Sequence, residues 1–201
     1  VGRFATEKVP VGVDYPHVLR TPGASGAMSA VGVVLGVMAF MLGAPVVSQL
    51  LAAGYWLAIG RPGEFSATFR SLTGYEVPFG FVVGHVGLMT LIPISCALVL
   101  FLHRVRPGYL SSVTGRLRWR WLGLTTAVGF ASLWLVLLGQ NLLAPDGPSW
   151  VVTPQPGAAV FIAVMLVTTP LQAAAEEYFF RGYLMQSLGS LVTSPWFGII
   201  A

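Results

Sequence analysis

Residues 27–59 read AMSAVGVVLGVMAFMLGAPVVSQLLAAGYWLAI and carry no charged side chain. A helix needs only about 20 apolar residues to cross a hydrocarbon core about 30 Å thick. The stretch is therefore a membrane span with residues to spare. A tilted or kinked helix takes up the excess, and Pro45 marks the bend. The same pattern recurs downstream. A charge-free run between Glu76 and Arg104 predicts a span near Phe79–Leu102. Another between Arg120 and Asp146 predicts one near Trp121–Leu143. A fourth starts after Pro154 and Pro156 and runs from about Ala158 towards Glu176. Ser194 and Pro195 then read as the N-cap and first position of a further helix. The fold class is all-α: a polytopic transmembrane bundle of about four spans plus the start of another.

Composition agrees. The 201 residues are 55% hydrophobic and 9% charged, and the mean hydropathy is +0.78. Soluble domains carry about 25% charged residues, so this chain cannot cover a polar surface. Disorder is excluded by the apolar content, and a disulfide scaffold by the single Cys96. The apolar runs are long and continuous rather than short and alternating, which excludes a β-barrel. The net charge of +4 comes from a few clustered Arg residues. That suits orientation signals and contact with membrane lipids; nucleic acid is not an expected partner.

The loops orient the bundle. Loop 103–120 holds Arg104, Arg106, Arg116, Arg118 and Arg120 and no acid, whereas loop 144–157 holds Asp146 and no base. The positive-inside rule makes the first cytoplasmic and the second external. Residues 1–26 then form a cytoplasmic N-terminal tail and residues 27–201 the transmembrane domain. The expected location is a bacterial plasma membrane with the N-terminus in the cytoplasm. Two Gly-x-x-x-Gly pairs, Gly32 with Gly36 and Gly80 with Gly84, suit close packing within the bundle.

The chemistry concentrates in one place, Ala173-Ala174-Ala175-Glu176-Glu177-Tyr178-Phe179-Phe180-Arg181-Gly182. An ionisable residue in a span costs at least about 2.5–3.5 kcal/mol and marks a function or a buried pair. Glu177 and Arg181 stand at i and i+4 in the favourable order for an ion pair. Glu176 points about 100° away around the helix and has Phe180 at its i+4 position. Its neighbours Gln172, Ala173, Phe179 and Phe180 offer it no cation. Small and apolar neighbours strip water from a carboxylate and make it a better proton acceptor. Glu177 and Arg181 thus read as a clamp and Glu176 as the reactive group. The plain alternative is that all three lie among headgroups at a helix end. Pro170 weighs against it, because it frees the Leu166 carbonyl one turn above the glutamates, beside Thr168, Thr169 and Gln172.

The string Glu176-Glu177-x-x-x-Arg181 in a late membrane helix resembles the first motif of the CPBP family. These are the CAAX-protease-like and bacteriocin-processing intramembrane endopeptidases, also called Abi proteins. Gly115-Arg116-Leu117-Arg118-Trp119-Arg120-Trp121, Gly182-Tyr183-Leu184 and Ser194-Pro195-Trp196 are similar to the family as well. The resemblance covers about residues 116–201. It implies cleavage of a peptide bond in a membrane-associated or prenylated, CAAX-type substrate. It places activation of the attacking water on Glu176 and maps the second Glu and the Arg of the motif onto Glu177 and Arg181. Two later family motifs, FxxxH and a His followed by Asn or Asp, supply histidines that help activate water or, in the metalloprotease description, bind zinc. Both are expected beyond Ala201, so the CPBP-like region is read as incomplete at its C-terminal end.

Phe81-Val82-Val83-Gly84-His85 spells FxxxH, but before the glutamates rather than after them. A lone His in a Gly-rich span is more often a packing or hydrogen-bonded residue, so the motif's role is not carried over to His85. His103 and His17, at span or tail ends, read as interfacial. No cofactor is demonstrable from this sequence. A catalytic zinc needs about three protein ligands, Glu176 and Glu177 point apart, and a divalent metal belongs only to the full-length family protein. Two further readings stay open. One is an ion- or proton-coupled transporter using Glu176 and Glu177. The other is a catalytically inactive truncated membrane protein. The sequence does not give the oligomeric state.

Overall fold

The computed structural model describes residues 6–143, 157–192 and 194. Four helices are long and apolar enough to cross a membrane: α1 (Gly26–Ala58), α3 (Phe79–Leu102), α4 (Trp119–Leu143) and α5 (Ala158–Leu191). A short helix, α2 (Phe65–Thr73), joins α1 to α3. No strand occurs among the described residues. The chain is an all-α polytopic membrane protein, as the charge-free runs require. It divides into two compact units, Val1–Arg116 with Ala159–Ala201, and Leu117–Ala158. The second unit consists, where described, of α4, a 25-residue helix with Phe130 set edge-on against Trp134. Residues 144–156 of the expected external loop lie outside the described residues. So do Pro195 and most of the expected further helix.

Local chemistry explains how the spans begin and bend. Ser25 caps α1, its Oγ accepting from the Met28 N–H at 3.2 Å. The helix then widens into a π turn over Ala39–Gly43. Pro45 follows, and its ring and missing N–H act on the carbonyl of Met41, inside that turn. The expected bend therefore takes the form of a wider turn just before the proline.

The fourth span starts at Ala158 as expected and continues past Glu176 to Leu191 as one 34-residue helix. Residues Glu177–Leu184 adopt π geometry and bury Phe179, Gly182 and Tyr183. Packing of those residues carries the helix past its charges.

Two apolar clusters hold the first unit together. One joins Ala52, Leu72 and Val83 from α1, α2 and α3. The other gathers Val18, Leu19, Leu91, Val99, Val105, Leu110, Ala175, Phe179 and Tyr183. The segment read as a tail takes part in it. Val18 and Leu19 are fully buried, and the Arg20 Nε donates to the Ser190 carbonyl at 3.2 Å. Both Gly-x-x-x-Gly pairs pack within the unit. A Cβ on Gly32 or Gly36 would press on Tyr183, and one on Gly80 on the Leu72 carbonyl, while Gly84 faces Tyr75.

His103, directly after the end of α3, is buried within the protein. It is 5% exposed and its Nε2 lies 3.4 Å from the Tyr183 hydroxyl. Burial disfavours the charged imidazolium and pushes its pKa down to about 4. The unfolded chain, with a His near 6.5, then binds more protons than the folded one between those two values. Folding stability should therefore be fully present above about pH 6.5. It should fall on acidification to about pH 4, by up to about 1.4 kcal/mol per pH unit from this group. Thermal unfolding of the detergent-solubilised protein at pH 7.5, 6 and 5 measures the slope, and His103→Gln should flatten it.

Candidate active site

The motif lies near the middle of α5, where α geometry gives way to the π segment at Glu176 and Glu177. Such wide turns recur at functional sites. Phe179 and Tyr183 anchor the segment from one side. Phe179 stacks on Phe40 of α1 at 5.8 Å between ring centroids, and Phe180 meets the same ring edge-on at 5.2 Å. The glycines at 32 and 36 give Tyr183 and Phe179 the room to approach α1.

From another side the segment is tied to the turn Pro107–Leu110 and Ser111. The Tyr178 hydroxyl meets the Ser111 Oγ at 2.5 Å, and the Gln186 Nε2 donates to the Tyr109 carbonyl at 3.0 Å. The Tyr15 hydroxyl donates to the Leu110 carbonyl. Tyr15 thus comes from the N-terminal segment to stand within electrostatic reach of Glu177 and Arg181. Its pKa is pushed up to about 12, chiefly by burial, with the Glu177 charge adding to the rise.

The two carboxylates separate as helical geometry predicts. Glu177 pairs with Arg181, Oε2 to Nη1, at 3.1 Å, and both side chains are exposed. Glu176 takes no part in that pair. It is half-buried, and its Oε1 accepts a hydrogen bond from the Gln172 Nε2 at 2.7 Å. Ala175 and Phe179, on either side of it in sequence, are fully buried. Gln172 was visible in the sequence as a neighbour of Glu176, but not as its donor.

His85 of α3 is hydrogen-bonded, as expected of a lone His in a span. Its Nδ1 lies 2.8 Å from the Thr168 Oγ1 of α5. Through Thr168 it stands beside the helix that carries Glu176. This convergence was not legible in the sequence, because 91 positions separate the two residues. Cys96 is a free thiol, half-buried in α3. Among the described residues no three His, Cys, Asp or Glu side chains converge to hold a metal ion. The described residues alone do not fit a zinc site, and no step below passes through a metal.

Residues 158–201 match a family model, and the match covers α5 with its two glutamates and the arginine. That segment is similar to the Rce1-like family. The family's description is type II CAAX prenyl endopeptidase Rce1-like. The matched segment is narrower than the resemblance read from about residue 116 onward. The uncharacterized protein YyaK of Bacillus subtilis (strain 168) is 30% identical over 86 residues. The aligned stretch is 41% of this chain and spans only 27% of that relative's length. No solved structure matches. The matched segment coincides with the helix on which an ion pair and a hydrogen bond sort the three charges into a paired set and a separate carboxylate.

Proposed function

We propose that the full-length protein is an intramembrane endopeptidase that cleaves a membrane-associated or prenylated, CAAX-type substrate. The observation that carries this reading is the separation of the carboxylates on the helix that matches the Rce1-like family: Glu177 is paired with Arg181, while Glu176 has, among the described residues, an amide donor and no cation. An unpaired carboxylate with one oxygen held and one free is the arrangement a general base requires.

In this mechanism the free Glu176 oxygen takes a proton from a water molecule as its oxygen attacks the scissile carbonyl carbon. The carbonyl π electrons move to oxygen, giving a tetrahedral oxyanion. On collapse the C–N bond breaks, and the departing amine takes the proton from Glu176. The products are a carboxylic acid and an amine, and Glu176 returns to its starting state. The Arg-rich loop 103–120 faces the cytoplasm in this reading, and anionic lipid headgroups are its natural contacts. The substrate reaches the site from the bilayer or its cytoplasmic edge.

The pair of Glu177 and Arg181 is the clamp of the site. Glu177→Arg and Arg181→Glu, each alone, place like charges at i and i+4. Each should lower cleavage by about tenfold or more, and the double swap should recover most of that loss. The check is the rate of release of a tethered fluorescent peptide. A swap no better than the single variants would assign the two residues separate roles.

One observation favours a second reading, proton-coupled transport: two spans bring ionisable groups together, His85 of α3 being hydrogen-bonded to the helix that carries Glu176. Proton flux in liposomes that disappears in Glu176→Gln, with no peptide cleaved by the unaltered protein, would establish it instead.

A further inference from the structure

The helix α5 carries three polar side chains at four-residue intervals, Thr168, Gln172 and Glu176. Such positions lie one above another on a helix face. The hydrogen bonds give the face a direction. Thr168 lies 2.9 Å from the Val164 carbonyl, which only accepts, so its single hydroxyl proton goes there. The same Thr168 oxygen meets the His85 Nδ1 at 2.8 Å. His85 is thereby tied to α5, one turn above Gln172. Gln172 in turn donates to Glu176 at 2.7 Å. Thr168 is buried and the other three are half-buried. None of these contacts involves the Glu177–Arg181 clamp.

We propose that Gln172 is the positioning residue of Glu176, and that the His85–Thr168 pair braces the helix face on which Gln172 stands. The Gln172 amide occupies Oε1 and leaves Oε2 as the oxygen that receives the proton from water. It also stops the carboxylate from rotating about its last bond. This inference rests on the endopeptidase reading and adds to it residues upstream of the two glutamates, two of them outside the motif's own turns.

The test uses the full-length protein in liposomes with a membrane-tethered fluorescent peptide. Gln172→Met keeps the length and apolar bulk of the side chain and removes the donor. It should lower kcat about tenfold to a hundredfold, the range for losing a hydrogen bond to a charged group, while KM stays within about twofold. Gln172→Glu, which brings a second carboxylate to Oε1, should be at least as damaging. His85→Phe should cost a few-fold in kcat, and His85→Asn, which keeps a donor, should retain more activity than His85→Phe.

Unfolding midpoints of each variant accompany the kinetics. Wild-type kcat in Gln172→Met, with Glu176→Gln inactive, overturns the positioning role and leaves the endopeptidase reading standing. Loss of folded protein in Gln172→Met assigns Gln172 a structural role and also overturns the proposal. No cleavage by the unaltered protein, across prenylated and unprenylated tethered peptides, overturns both.

Discussion

Glu176→Gln in the full-length protein is expected to reduce cleavage of a tethered peptide by about a hundredfold to ten-thousandfold, the contribution of a positioned general base. The substitution is gentle on structure. The Gln side chain has the same shape and still offers a carbonyl oxygen to the Gln172 amide, so the 2.7 Å contact can persist. What disappears is the free oxygen that takes a proton. The variant should therefore insert, fold and melt like the parent while failing to turn over substrate. Mass spectrometry of the peptide products, with thermal unfolding in detergent, checks both halves. A Glu176→Gln protein that still cleaves would remove Glu176 from the chemistry.

The second large effect falls on stability. Gly32→Ala should destabilise the protein by about 1–3 kcal/mol, the usual cost of overpacking a core. The new methyl group would sit inside van der Waals contact of the Tyr183 hydroxyl and against Leu102 and His103. Tyr183 is fully buried, so its ring can move only by displacing its neighbours in the core. Because Tyr183 lies in the π segment that begins at Glu177, the strain is delivered to the motif itself. Tyr183→Phe removes the hydroxyl oxygen and should recover part of the loss when combined with Gly32→Ala. Unfolding midpoints of the two single variants and the double variant give the coupling directly. Purely additive effects would show that the clash is relieved elsewhere.

Much of this was legible in the residues. Charge-free runs located the spans because a bilayer leaves no alternative to long apolar helices. The ion pair between Glu177 and Arg181 was legible because it is local, four positions apart on one helix. The separate standing of Glu176 followed from the same geometry. What escaped was everything set by distant parts of the chain. Nothing in the composition of residues 6–20 says that Val18 and Leu19 enter the core or that Tyr15 reaches Leu110. The burial of His103 depends on Tyr183 and on the gap left by Gly32, contributions from three separate spans or their ends. The full length of α5 was not legible, because the buried aromatic residues after the glutamates carry the helix on by packing against distant parts of the chain. His85 was set aside on the order of its motif, and only its contact with Thr168 put it beside the same helix as Glu176.

The docking of the N-terminal segment onto the end of α5 also has a consequence in time. Arg20 meets Ser190 across 170 positions of chain. A ribosome adds about 5–20 residues per second. The segment that holds Tyr15, Val18 and Leu19 must therefore wait roughly ten to thirty seconds after its own synthesis before its partners exist. During that interval the buried faces of Val18 and Leu19 have no place in the fold, and α1 enters the bilayer without them. The glutamate-bearing helix is thus closed by a segment made 170 residues before the carbonyl it meets.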